Sequence, residues 1–154
     1  MREALIALNQ LVADGNIPSY AIGGAIGASF YTEPVATEDL DVFAMVKTQG
    51  LLLSLTPIYD ALRALGGEVV REHVSIGGWK VQILPPYKPL VEEALAAAVA
   101  TEFDKVPTRV LTAEHLCAIA IDTGRAKDYL RVSMFIVSVI INIDGKSAVF
   151  VQLG

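Results

Sequence analysis

The stretch YAIGGAIGASFYTEPVATEDLDVFAMV, Tyr20 to Val46, decides how the rest of the chain is read. A short apolar run, Tyr20-Ala21-Ile22, ends in the pair Gly23-Gly24. After a loop over Thr32–Glu38 that contains Pro34, Asp39 and Asp41 stand one residue apart at the head of the apolar run Val42 to Val46. In a strand, residues i and i+2 project from the same face. Asp39 and Asp41 therefore point together into one cleft, while Leu40 and Val42 turn toward a core. Between the two strands, Ala25–Tyr31 is small and apolar and reads as a short helix.

This pattern has a chemical reading and a plainer one. Backbone amides after a glycine turn can form an anion-binding nest at a helix N-terminus. Paired carboxylates can hold Mg2+, which takes protein and phosphate oxygens together. Two such ions can activate an attacking hydroxyl and stabilise a leaving pyrophosphate. The plainer reading is a tight turn followed by a solvated acidic strand end. The spacing is neither GxGxxG followed by a ribose-binding acid nor GxxxxGK[ST], so dinucleotide and P-loop frameworks gain little support.

Composition narrows the class. The chain has 154 residues, 53% hydrophobic and 19% charged, enough for one domain, or a core with a small helical appendage. A net charge of −5 argues against an extended basic surface that grips nucleic acid by its phosphates. The single Cys117 excludes an internal disulfide and a cysteine-rich zinc site, and His73 and His115 alone make a histidine metal centre improbable. The opening MREALIALNQLVADG has amphipathic spacing rather than the pattern of a leader, and the run Val132 to Ile143 is too short to span a bilayer. The expectation is a cytoplasmic protein without a membrane partner.

Working outward, a helix is predicted over Arg2–Ala13, with Leu5, Leu8, Leu11 and Val12 on one face and Gly15 beyond its end. Asp39–Val46 is the second strand. Leu51–Leu65 is the next helix, in one or two parts, since Thr56-Pro57 resembles a fresh start. Glu68–Val74 and Trp79–Leu84 are β-segments flanking the turn Ser75-Ile76-Gly77-Gly78. Pro89–Ala100 is an alanine-rich helix, Thr101–Leu111 is extended, and Thr112 caps a helix that ends at Gly124. Arg125–Tyr129 opens another. Propensity alone makes Met134–Ile143, Asp144-Gly145 and Ala148–Leu153 a hairpin; continuation of the helix from Arg125 is the competing reading.

A Gly-Gly turn, a spacer and Asp-x-Asp on a strand resemble the polymerase-β-like nucleotidyltransferase superfamily. Tyr20-Ala-Ile-Gly-Gly-Ala, Ala36-Thr-Glu-Asp-Leu-Asp-Val42, Val81-Gln-Ile-Leu-Pro85, Leu111-Thr-Ala-Glu-His-Leu116 and Gly124-Arg-Ala-Lys-Asp128 look like its small prokaryotic members, including nucleotidyltransferases of toxin–antitoxin and abortive-infection systems. The resemblance spans about residues 18–131. It implies an α/β (α+β) fold: a mixed-sheet nucleotidyltransferase core over residues 1–100 with flanking helices, and a mainly helical C-terminal extension over 101–154. It further implies an enzyme that binds a nucleoside triphosphate with Mg2+ and transfers a nucleotidyl group to a hydroxyl of RNA, a protein or a small molecule. Asp39 and Asp41 would be the catalytic metal ligands, and Gly23 and Gly24 would line the triphosphate, with Ser29 as a further contact. Lys127 would meet phosphate as a point charge, oriented by Asp128. An antitoxin-like partner and a homodimer are the protein partners expected.

One position departs from that pattern. The superfamily's third carboxylate lies on a neighbouring strand in a context like Val-Asp-Leu-Leu-Pro, and here the chain reads Val81-Gln82-Ile83-Leu84-Pro85. An amide can hydrogen-bond but is no general base. The alternative is therefore a weak or inactive relative that serves as a nucleotide sensor or interaction module. Glu72 is the nearest substitute acid, against a plain edge ion pair. Trp79 reads as a hairpin anchor or a base-stacking ring, His115 as a capping or surface residue, and Cys117 as a core thiol. Arg125, Lys127 and Arg131 form a basic cluster, or one solvated helix face.

Overall fold

The computed structural model describes residues 1–46 and 54–143. Among them a seven-stranded mixed sheet runs in the order β3-β4-β5-β2-β1-β7-β6. The strands are β1 (Tyr20–Ile22), β2 (Asp39–Ala44), β3 (Glu68–Val70), β4 (His73–Ile76), β5 (Trp79–Leu84), β6 (Val99–Phe103) and β7 (Val106–Val110). The helices are α1 (Arg2–Ala13), α2 (Gly24–Ala28), α3 (Thr56–Ala64), α4 (Pro89–Ala96), α5 (Ala113–Thr123) and α6 (Ala126–Ile143). Strand β2 pairs antiparallel with β1 and parallel with β5, and β1 pairs parallel with β7.

The alternation of side chains along the central strands divides the interior in two. Leu40, Val42 and Ala44 of β2, with Val81 and Ile83 of β5, pack with Leu5, Leu8 and Leu11 of α1 and with Ile58 and Leu62 of α3. Phe43, on the other face of β2, joins Ala21, Val91, Leu95, Leu116 and Phe135 in a second cluster beneath α4, α5 and α6. Asp39 and Asp41 lie on that same second face by the two-residue period. The face is thus apolar at Phe43 and acidic toward the start of β2.

Three local predictions need correction. Glu68–Val74 is not one strand: Arg71 takes a left-handed conformation (φ 55) and turns β3 back into β4. Thr101–Leu111 is not a single extended run either. Asp104 and Lys105 both have positive φ (48 and 61), the conformation of a two-residue hairpin turn, and they join β6 to β7 without a glycine to announce it. The helix expected over Pro89–Ala100 stops at Ala96, because Val99 and Ala100 already pair with Val110 and Arg109 in the sheet.

At the C-terminus the sequence leaves a hairpin and a continued helix open, and up to Ile143 the helix forms. Residues through Ile143 continue α6, and the Val/Ile-rich segment is helical despite its β-propensity. The inward positions explain this. Asp128 and Phe135 are buried, and Arg131, Met134 and Ser138 are half-buried, a spacing of three and four that only a helix presents on one face. Packing of Phe135 against the second core decides against the intrinsic preference of β-branched residues. The Asp144-Gly145 turn and Ala148–Leu153 lie outside the described residues, as does the first part of the helix expected over Leu51–Leu65. Among the described residues no helix is long and apolar enough to cross a membrane.

Leu40 is fully buried at the centre of the first core. Leu40→Ala is expected to lower the unfolding free energy by about 2–5 kcal/mol in urea denaturation. A loss below about 1 kcal/mol would contradict this packing.

Candidate functional site

The strand-to-helix turn and β2 meet at a contact that only glycine permits. The Gly23 amide donates to the Asp41 carbonyl at 2.9 Å, holding the turn against the strand. Gly24 has φ +57, and a Cβ there would collide with Asp41 Oδ2. A Cβ on Gly23 would run into the Phe43 ring. Gly24 therefore presents bare backbone beside the Asp41 carboxylate and lines the cleft. Gly23 sits behind it, packed on Phe43, and is not among the described lining residues.

The cleft is a cavity of about 680 Å³ open along the second face of the sheet. Asp39 and Asp41 both line it, Asp39 exposed and Asp41 half-buried. The parallel register places Asp39 beside Lys80 and Asp41 beside Gln82. Gln82 thus stands on the next strand at the level of Asp41, with its side chain in the same cleft. Lys80 pairs with Glu38 at 3.0 Å, which holds its ammonium pKa above the ordinary lysine value.

The opposite wall comes from the start of α6. Thr112 caps α5 by accepting from the His115 amide, and Gly124 ends that helix in the left-handed conformation (φ 70). The chain then turns directly into α6, with Asp128 1% exposed. Arg125 Nε donates to Asp128 Oδ2 at 2.6 Å, Arg125 Nη2 to Oδ1 at 3.2 Å, and Arg131 Nη1 to Oδ1 at 3.2 Å. The Arg125 amide also donates to Oδ2, at 3.3 Å. The hydrogen bonds from Arg125 hold the Asp128 carboxyl below its ordinary pKa, against the opposing effect of burial. Asp128 thus orients Arg125 and Arg131, and not Lys127, which is exposed and lines the cleft.

These cations act across the cavity. Burial pushes the Asp41 carboxyl up, with Asp39 reinforcing the shift, while Arg131, Lys127 and Arg125 oppose it, Arg131 most strongly. Arg131 is the residue that sequence reasoning undervalued. Its signal is the spacing Arg125, Asp128, Arg131, three residues apart, which puts a carboxylate between two guanidiniums on one helix face.

Other candidates fall elsewhere. Ser29 ends α2, its hydroxyl donating to the Ile26 carbonyl at 2.7 Å, and it is not among the described lining residues. Its expected nucleotide contact has no geometric support. Trp79 packs against the first core as a hairpin anchor. His115 bonds Thr112 Oγ1 at 2.8 Å beside Glu93, a capping arrangement. Cys117 packs on the second core. Glu72 is in the β3–β4 turn, exposed at the cleft rim, and makes no ion pair among the described residues. His73, the next residue, is half-buried and lines the cleft.

The donor set fits a hard cation brought in by phosphate. Two carboxylates lie side by side on β2, but among the described residues no cluster of three His, Cys, Asp or Glu side chains could hold a metal alone. Mg2+ commonly completes its octahedron with substrate phosphates and water, so two carboxylates suit it when phosphate supplies the remaining oxygens.

The sequence matches no family model and no curated protein. Solved structures do share its fold. An antigenic nucleotidyltransferase-like protein from Paracoccidioides brasiliensis superposes with a TM-score of 0.62 at 15% identity, over 90% of this chain and 75% of that one. The antibiotic-resistance factor ANT(2'')-Ia is similar in its solution structure, with a TM-score of 0.52 at 16% identity over 94% and 86% of the two chains. In its complex with adenylyl-2''-tobramycin the TM-score is 0.54 at 17% identity, over 97% and 96%. The chain has a nucleotidyltransferase-like fold.

Asp128 has a depressed pKa in the folded state, so its contribution to stability is complete above the ordinary carboxylate range and is lost as pH falls through the depressed value. Asp41, with a raised pKa, works in the opposite sense and favours folding most in acid. Asp128→Asn is expected to cost roughly 1.5–3 kcal/mol at neutral pH. Denaturation followed across pH should show the gap from wild type closing below the ordinary carboxylate range. A gap that does not change with pH would contradict the assignment.

Proposed function

We propose that the chain binds a nucleoside triphosphate with Mg2+ and transfers its nucleotidyl group to a hydroxyl acceptor on RNA, a protein or a small molecule. The observation that carries this reading is the pairing of Asp39 and Asp41 in one cleft beside the bare backbone of Gly24, faced by Lys127 and Arg131. Nucleotidyl transfer depends mainly on positioning and on neutralising phosphate charge. A cleft with carboxylates on one wall and cations on the other supplies both requirements.

Asp39 and Asp41 would hold Mg2+, which when bound neutralises phosphate charge and polarises the reacting phosphoryl group. Gly24, having no side chain, makes room for the Asp41 carboxylate against the turn, and the turn lines the cleft that the phosphates would enter. Lys127 meets phosphate as a mobile point charge, whereas Arg131 is held in place by Asp128 and presents a fixed guanidinium. Asp128 serves the site through Arg125 and Arg131 without entering the reaction.

Gln82 favours a second reading. It stands in register with Asp41, at the position where the superfamily resemblance implies a third carboxylate. An amide there neither takes a proton nor adds charge to a metal site. A protein of this kind binds nucleotide without turning it over, as a sensor or an interaction module. The resemblance to toxin–antitoxin nucleotidyltransferases suggests a cytoplasmic setting and an antitoxin-like partner. The exposed apolar face of α6, including Leu130, Ile136 and Val137, suits a homodimer.

Calorimetry with ATP and Mg2+ tests the binding claim. The double variant Asp39→Ala, Asp41→Ala is expected to lose Mg2+-dependent binding, and binding equal to wild type would refute the site. Labelled nucleotide incubated with an RNA pool separates the two readings, since transfer that disappears on Asp41→Ala rejects the inactive one.

A further inference from the structure

We infer that His73 supplies the base that Gln82 cannot, an inference that rests on the nucleotidyltransferase reading of the cleft. Strand register places His73. Val74 of β4 pairs with Val81 of β5, and both side chains are fully buried in the first core. Their neighbours His73 and Gln82 therefore face the other way, into the cleft, and both line it. Gln82 is in turn paired with Asp41. Asp41, Gln82 and His73 form a row across three adjacent strands on the cleft face.

Spacing makes the row chemically useful. Adjacent strands lie roughly 4.8 Å apart, so His73 stands roughly 10 Å from Asp41 measured along the sheet. An imidazole is longer than an aspartate side chain, so from β4 it can cover part of the distance to the space that a carboxylate at position 82 would reach from closer by. The backbone just before it is pinned, because the Tyr59 hydroxyl donates to the Glu72 carbonyl at 3.0 Å. Rival bases are poorly placed. Glu72 is exposed in the turn, Asp39 and Asp41 are committed to the metal in this reading, and Lys80 is a cation paired with Glu38. A neutral imidazole has a ring nitrogen that can take a proton, which an amide does not.

In the step assigned to it, a ring nitrogen of His73 takes the proton of the acceptor hydroxyl. The acceptor oxygen forms a bond to the α-phosphorus of the nucleoside triphosphate. The bond from that phosphorus to the bridging oxygen breaks, and pyrophosphate leaves with the electron pair. His73 then returns its proton to solvent. The position also places the acceptor on the β4–β5 side of the cleft, opposite the cations of α6.

The test measures pyrophosphate release from ATP and Mg2+ with an RNA pool, alongside ATP binding by calorimetry on the same proteins. His73→Gln is expected to bind ATP as the wild type does and to release pyrophosphate about 100-fold more slowly. Adding Gln82→Asp to that variant is expected to restore release by at least about tenfold, because a carboxylate then occupies the nearer position. Three outcomes overturn the inference while leaving the nucleotide site intact: wild-type rates in His73→Gln, no rescue by Gln82→Asp, or ATP binding without release in the wild type. Failure of the wild type to bind ATP removes the reading of the cleft itself, and the inference with it.

Discussion

Asp41 lies against Gly24 so closely that no side chain fits between them, and the cleft is built on this contact. It requires the chain after β1 to turn with a left-handed residue, and it requires β2 to run antiparallel beside β1 with Asp41 opposite the turn. The Gly23 amide bond to the Asp41 carbonyl fixes the level. Once that level is set, the parallel pairing of β2 with β5 sets Gln82, and the antiparallel pairing of β4 with β5 sets His73. A slip of one residue in any of these pairings would turn the polar side chains into the core beneath α1. Because Leu40, Val42, Val74 and Val81 are fully buried, the hydrophobic effect holds the register that brings Asp41, Gln82 and His73 into one row.

The second wall is organised by charge. Asp128 is buried yet satisfied, with both oxygens engaged by Arg125 and Arg131. A buried carboxylate without such partners would be strongly destabilising. With them it anchors the first turn of α6 and aims Arg131 toward Asp41. The two walls are thus coupled: Arg131 belongs to the Asp128 ion-pair group and also opposes the burial-driven rise of the Asp41 pKa. Lys127, on the same helix, is exposed and lines the same cleft.

Much of this was legible in the sequence because it is local. The two-residue spacing of Asp39 and Asp41, the double glycine and the Thr112 and Gly124 caps each constrain the backbone within a few residues. What escaped was decided by distant packing or by unmarked turns. Asp104 and Lys105 adopt positive φ without glycine, so the β6–β7 hairpin has no sequence flag. The C-terminal valines and isoleucines favour a strand until Phe135 finds the second core. The partners of Asp128 are separated by helical spacing, whereas adjacency in the sequence points to Lys127. His73 was unreadable for a related reason: which way a strand residue faces depends on a register that only the pairing of β4 with β5 establishes.

Asp39, Asp41 and the α6 cations are proposed to bind one nucleotide between them. A crystal structure with a non-hydrolysable ATP analogue and Mn2+, located by its anomalous signal, tests it most directly. Metal is expected between the two carboxylates, with the phosphates running past Gly24 toward Lys127 and Arg131. Metal or nucleotide bound away from Asp41, or a cleft left empty at saturating ligand, would contradict it.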